Sequence, residues 1–137
     1  MRIEKAYPAY GAELTTERTP EESAAGRFAK TDAREFVGRQ TMIERRGDTA
    51  WKTVLIEIVA KDIYPYHAHP VFNSDDKVIG VVTSAAFGHR CQKILGFALL
   101  REHRSFNDLS VEIMGRRYPA NVLNSIPFDP ANKRMKC

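Results

Sequence analysis

The pattern of apolar and polar positions divides the chain near Gly47. Before it, the signals are helical or irregular. Thr19-Pro20-Glu21-Glu22 reads as a helix start, with Thr19 as cap, Pro20 in the first turn and Glu22 closing a capping box. Gly26 keeps that helix short. Asp32-Ala33-Arg34-Glu35 is a second start, which puts Phe36, Gln40 and Ile43 on one face, weakens the middle at Gly38 and stops at Gly47. After Gly47, β-branched residues dominate. Val54 to Val59 is a nearly continuous apolar run, as in a strand buried on both faces. Val71-Phe72, the polar Asn73-Ser74-Asp75-Asp76 and Val78 to Val82 predict a hairpin. Ile94 to Leu100 is a further strand. Leu109, Val111 and Ile113 alternate with Ser110 and Glu112, which predicts a half-exposed strand. Gly115-Arg116 turns the chain into Tyr118 to Leu123, where Pro119 points to an edge or a bulge. Short strands after one helical stretch predict a mainly β chain. Residues 1–50 would form a helical segment and residues 51–137 a small antiparallel β-barrel.

Composition narrows the class. A chain of 137 residues that is 43% hydrophobic can bury a core and is not a disordered tail. No apolar run approaches the ~18 residues of a membrane-spanning helix, and Met1 to Lys5 leads into no apolar signal region. Two cysteines, Cys91 and Cys137, are too few for a disulfide scaffold, so reduced thiols and a cytoplasmic location are expected.

The net charge of +4 comes entirely from residues 51–137 and is spread along them, except in the dense tail Lys133-Arg134-Met135-Lys136. Nucleic-acid binders gather charge on one face. Spread charge favours an ordinary surface or a small anionic ligand, so neither nucleic acid nor membrane is expected as a partner.

Candidate chemistry is sparse. At strand spacing His67 and His69 would share a face, but the flanking prolines suggest a surface turn; zinc needs three or four protein ligands, and His89 and His103 are distant in sequence, so no metal is expected. Cys91 follows His89 by two residues, which does not make an activated thiolate; a structural thiol is the simpler reading. Thr83 to His89 reads as a loop after a strand and lacks the Gly-Lys-Ser/Thr ending of a phosphate loop. Glu4 stands before Tyr7 and Tyr10. A carboxylate can accept two hydrogen bonds from an amidine-like ring edge, and tyrosines can stack on such a ring, but these residues alone identify no ligand.

Several stretches are recognisable in order: Met1-Arg-Ile-Glu-Lys-Ala-Tyr7, Tyr10-Gly-Ala-Glu-Leu-Thr15, Thr19-Pro-Glu-Glu22, Phe28-Ala-Lys-Thr-Asp32, Glu35-Phe-Val-Gly-Arg39, Val78-Ile-Gly-Val-Val-Thr-Ser84, Tyr118-Pro-Ala120 and Pro127-Phe-Asp-Pro-Ala-Asn-Lys-Arg134. Together they resemble the middle and end of the glycine cleavage T-protein (aminomethyltransferase) family. Ala86-Phe-Gly-His89 and the Asp-Pro ending look closest to the branch fused to dimethylglycine and sarcosine dehydrogenases. The chain departs from the family's pattern at Ala6, Arg27, Cys91 and Gln92.

The resemblance implies a barrel of about six strands and a part in tetrahydrofolate-dependent one-carbon transfer from an amine. It implies Glu4 on the pterin, Tyr10 nearby, and Arg39, Lys133 and Arg134 toward the glutamate tail of the folate. The family's catalytic aspartate lies upstream of the matched region, so no catalytic residue is assigned. A flavin would sit on a separate domain. Apolar residues of the first fifty, including Phe28, Phe36 and Ile43, need a cover, so a homodimer or a partner subunit is expected there. The rival reading is a non-catalytic protein-interaction module built on the same fold.

Overall fold

The computed structural model describes residues 2–61, 63–101 and 106–134, the side chain of Arg27 excepted. Six strands follow one short helix. These are α1 (Arg39–Glu44), β1 (Lys52–Ile58), β2 (Pro70–Phe72), β3 (Val78–Gly88), β4 (Lys93–Leu100), β5 (Leu109–Ile113) and β6 (Arg116–Val122). All pairs are antiparallel, and the order β1-β4-β3-β2-β5-β6 closes into a barrel. The expected mainly β architecture is therefore present. Among the described residues no helix is long and apolar enough to cross a membrane.

The long apolar runs have a direct cause. Side chains alternate across a strand. Val54, Ile56 and Ile58 of β1 and Ile94, Ala98 and Leu100 of β4 join the cluster that fills the barrel. Leu55, Leu95 and Phe97 belong to a second cluster with Ile3, against which Ala6 and Ala24 pack. The outer face of β1 and β4 is thus covered by the N-terminal arm, and both faces of these strands are buried. β5 lacks that outer cover, so it keeps the alternation of buried and half-buried positions.

The hairpins are set by local polar chemistry. In the β2–β3 turn the Asn73 Oδ1 accepts from the amides of Asp75 (3.1 Å) and Lys77 (3.0 Å). The β5–β6 turn is the two-residue Met114-Gly115, both at positive φ as the strand twist favours. Arg117 of β6 stacks 3.7 Å from the Phe72 ring centre and pairs with Asp76 and Glu112.

Four expectations need correction. The capping box at Thr19 forms, with Thr19 N–H donating to Glu22 Oε2 (3.0 Å) and Glu22 N–H to Thr19 Oγ1 (3.3 Å). It caps only turns that lead to a 3-10 turn at Gly26–Phe28. The second helix starts at Arg39 and not at Asp32, because Gly38 takes φ +88° and breaks any helical path through it. Thr83 to Gly88 is no loop but the second half of β3, registered against β4. Pro119 lies inside a closed barrel and not on an edge. Its carbonyl accepts from Val59 (2.8 Å), one residue past the β1–β6 register, which ends at Ile58↔Ala120. The missing N–H falls where that ladder has already stopped.

Candidate functional site

The N-terminal arm carries two buried carboxylates, and both bind the arm to the barrel. Glu4 is 2% exposed. Its Oε1 accepts from the amide of Arg90 at 2.7 Å and, more weakly, from the amide of Cys91 at 3.3 Å. Glu4 therefore closes the β3–β4 hairpin. Burial pushes its carboxyl up, but these amides outweigh burial and hold it below the usual carboxylate range. Burial and the same carboxylate push the Cys91 thiol up, which is the opposite of nucleophile activation.

Glu13 is fully buried. Its Oε1 accepts from Ser84 Oγ (2.6 Å) and Thr83 Oγ1 (2.7 Å), and its Oε2 from the Ala9 amide (2.7 Å) and Arg2 (3.0 Å). Two neighbouring strand residues normally face opposite ways. Here the register slips, Val82 facing Ala98 and Ser84 facing Phe97. Thr83 is the extra residue of a β-bulge, and the bulge turns both hydroxyls onto one carboxylate. Burial pushes Glu13 up, and the hydroxyls, the amide and Arg2 bring it below its ordinary range. Arg2 completes the cluster by donating to Ser84 Oγ (3.0 Å) and to the Tyr7 carbonyl (2.8 Å).

The C-terminal segment reaches the same arm. Lys5 Nζ donates to the Asp129 carbonyl (2.8 Å) and to Asn132 Oδ1 (2.7 Å), and pairs with the Asp129 carboxylate (3.2 Å). The Phe128 amide donates to the Glu4 carbonyl (3.2 Å). The Asp129 carboxylate caps the amides of Lys133 (2.8 Å) and Arg134 (3.3 Å).

The structure therefore brings Glu4 and the Lys133-Arg134 end together around Lys5. Tyr10 sits on the outside of the arm, 81% exposed, in a bridge with Leu14. Arg39 stands apart at the start of α1, where its Nε donates to the Thr31 carbonyl (2.6 Å) and its guanidinium pairs with Glu35 (3.4 Å). Glu13 had no assigned role in the sequence. No spacing marks it, because the bulge at Thr83 makes its site.

The histidines are held separately, His67 Nδ1 against the Thr83 carbonyl (3.1 Å) and His69 Nδ1 against that of Glu112 (2.8 Å). Among the described residues no three His, Cys, Asp or Glu side chains gather as a metal site. His103 and Cys137 lie outside the described residues.

A closed six-stranded antiparallel barrel, with an arm bonded to its outer face through two buried carboxylates, is the class of domain these features define. Residues 52–129 match the family model described as the glycine cleavage T-protein C-terminal barrel domain, and the chain belongs to that family. It is 34% identical over 132 residues to an aminomethyltransferase of Geobacillus sp. (strain WCH70), covering 93% of this chain and 35% of that protein. It is 26% identical to the mitochondrial dimethylglycine dehydrogenase of Mus musculus, covering 99% of this chain and 16% of that protein. The solved structure of the glycine cleavage system aminomethyltransferase T from Bartonella henselae shares the fold, with a TM-score of 0.76 at 19% identity, over 93% of this chain and 36% of that one. The chain thus spans about a third of the length of these aminomethyltransferases.

Proposed function

We propose that this chain supplies one wall of a tetrahydrofolate site in a protein that transfers a one-carbon unit from an amine. The observation that carries the reading is the anchored arm. Glu4 and Glu13 pin it to the barrel, and Tyr10 stands exposed at a fixed place beside that anchor. The Tyr10 ring fits the face of a flat heterocycle. The exposed Lys133 and Arg134 suit the carboxylates of a glutamate tail. Arg39 could meet that tail only through a ligand long enough to reach α1. The Glu4 carboxylate holds the arm and could meet a pterin edge only by giving up the amides of Arg90 and Cys91. Tetrahydrofolate, when bound, supplies the nitrogen that accepts the one-carbon unit; this chain's own part is to bind and orient it.

Calorimetric titration of the full chain with tetrahydrofolate tests this. Saturable binding, weakened roughly threefold to tenfold in Tyr10→Ala, is the expected result. A folded chain with no binding heat overturns the reading for this chain. It would favour the second reading, a protein-interaction module, which the exposed Phe28, Phe36, Val37 and Ile43 support.

A further inference from the structure

The bonds of Glu13 close on one short turn, residues 7–14. Glu13 Oε2 accepts from the Ala9 amide at 2.7 Å. The Ala9 carbonyl accepts in turn from the amides of Ala12 (3.3 Å), Glu13 (3.1 Å) and Leu14 (3.0 Å). Ala9 is thus held at its N–H and at its carbonyl. The Gly11 amide donates to the Leu14 carbonyl (2.8 Å), and Gly11 takes φ +86°, which a residue with a Cβ rarely adopts. Arg2, paired with Glu13 Oε2, holds the Tyr7 carbonyl at the entry to the turn (2.8 Å). Thr83 and Ser84, donating to Glu13 Oε1, fasten the whole turn to β3. Tyr10 is the residue between the fixed Ala9 and Gly11. Its ring is exposed, so its place is set by the backbone that carries it. Glu4 acts elsewhere, on the Arg90 and Cys91 amides of the β3–β4 hairpin.

We propose that Glu13 is a positioning residue, which sets the affinity of this site for a flat heterocycle by holding Tyr10 where its ring meets the face of that ligand. The assignment rests on Tyr10 meeting the folate ring, as proposed above. A turn free to move must be ordered when the ligand binds. A turn already fixed by buried bonds avoids that cost, which is how preorganisation raises affinity. The bonds that do the fixing all lie within this chain, and they join the turn to the barrel wall and not to a neighbouring loop.

Calorimetry with tetrahydrofolate on the wild type, Tyr10→Ala, Glu13→Gln and the double variant is the test, with circular dichroism confirming that each folds. Glu13→Gln keeps the size of the side chain but leaves one acceptor oxygen for the donors that two now serve. It is expected to weaken binding roughly threefold to tenfold, and the double variant to bind no more weakly than Tyr10→Ala, since both changes remove the same contact. A residue that only stabilised the barrel would leave the affinity of the folded chain unchanged. A residue that touched the ligand itself would add its loss to that of Tyr10→Ala. Either result overturns the proposal. Amide hydrogen exchange separates the positioning from the folate reading. In Glu13→Gln the amides of residues 9–14 are expected to exchange roughly tenfold faster or more, with β3 and β4 little changed. Such acceleration in a chain whose wild type binds no tetrahydrofolate supports the positioning of Tyr10 and overturns only tetrahydrofolate as the ligand. Unchanged exchange at residues 9–14 overturns the proposal whatever the wild type binds.

Discussion

Glu13 and Thr83 are 70 positions apart in the chain, yet Thr83 Oγ1 donates to Glu13 Oε1 at 2.7 Å where neither residue is exposed. This contact and its neighbour from Ser84 exist only because β3 bulges at Thr83. They join the arm to the strand that runs through the middle of the barrel wall. Glu13→Ala removes four acceptor contacts and leaves Thr83 Oγ1 only the longer bond to the Phe97 carbonyl (3.3 Å), so it is expected to cost about 2–4 kcal/mol in urea unfolding.

The same carboxylate gives stability a pH dependence of known sign. The pKa of Glu13 in the folded chain lies below the ordinary 4.5, and so does that of Glu4. Carboxylates of this kind contribute fully above their unfolded pKa. The contribution is lost as pH falls through the depressed folded value. The urea midpoint is therefore expected to hold at neutral pH and to drop from about pH 5 downward. In Glu13→Gln the acid-side drop is shallower, because one of the protonation events, shared with Glu4 and Asp129, is gone. An unchanged slope in that variant would assign the acid sensitivity to other groups.

Gly80 offers a packing test at the centre of the sheet. A Cβ there would stand 2.0 Å from the Leu99 carbonyl oxygen and 2.9 Å from the Leu100 Cα, backbone atoms that cannot step aside. Gly115 in the β5–β6 turn has open space around its Cβ position but a φ of +75°. Gly115→Ala is expected to cost about 1–2 kcal/mol from the left-handed backbone alone. Gly80→Ala should cost more, about 3 kcal/mol or above, since β3 and β4 must separate. Thermal unfolding of the two variants side by side decides the order.

The barrel was legible because its signals are local and repeated. Val54 to Val59, Ile94 to Leu100 and the alternation at Leu109 to Ile113 each declare a strand, and Asn73 to Asp76 declares a turn. The second half of β3 was not legible. Ala85, Ala86 and Gly88 have weak strand propensity, and only pairing with β4 makes them a strand. The helix starts misled for the opposite reason. The Thr19–Glu22 cap is real, whereas Glu35 pairs with Arg39, and six residues of α1 with no buried face gain too little from packing to extend the helix. Glu4 was legible as a carboxylate of consequence, though its partners, Arg90 and Cys91, lie over eighty residues away. Glu13 was hidden because a bulge, not a spacing, creates its site.

Cys91 tests the electrostatics of the Glu4 anchor. Burial, then the Glu4 charge, pushes the thiol above its ordinary value of 9.0. Alkylation by iodoacetamide, followed in a Cys137→Ser background, is expected to be slow at neutral pH and to rise only above that value. Glu4→Gln removes the charge but keeps an acceptor for the Arg90 and Cys91 amides. It should move the rise to lower pH without matching an exposed thiol, because burial remains. A rate profile that ignores Glu4→Gln would mean that burial alone sets the thiol.

Lys5 ties the C-terminal segment down, and its loss should free that segment without unfolding the barrel. Its ammonium holds three oxygens of Asp129 and Asn132, and Asp129 in turn caps the amides of Lys133 and Arg134. Lys5→Met keeps the length of the side chain and removes every donor. Asp129 then loses the ion pair that, with the two amides, outweighs desolvation and keeps its pKa low. Local opening of residues 129–134 should increase while β1 to β6 keep their pairing. Limited trypsin digestion reads this directly. Cleavage after Lys133 and Arg134 is expected to accelerate in Lys5→Met, with the barrel surviving as one fragment. Equal acceleration at Lys52 and Lys93, within β1 and β4, would show instead that Lys5 supports the whole fold.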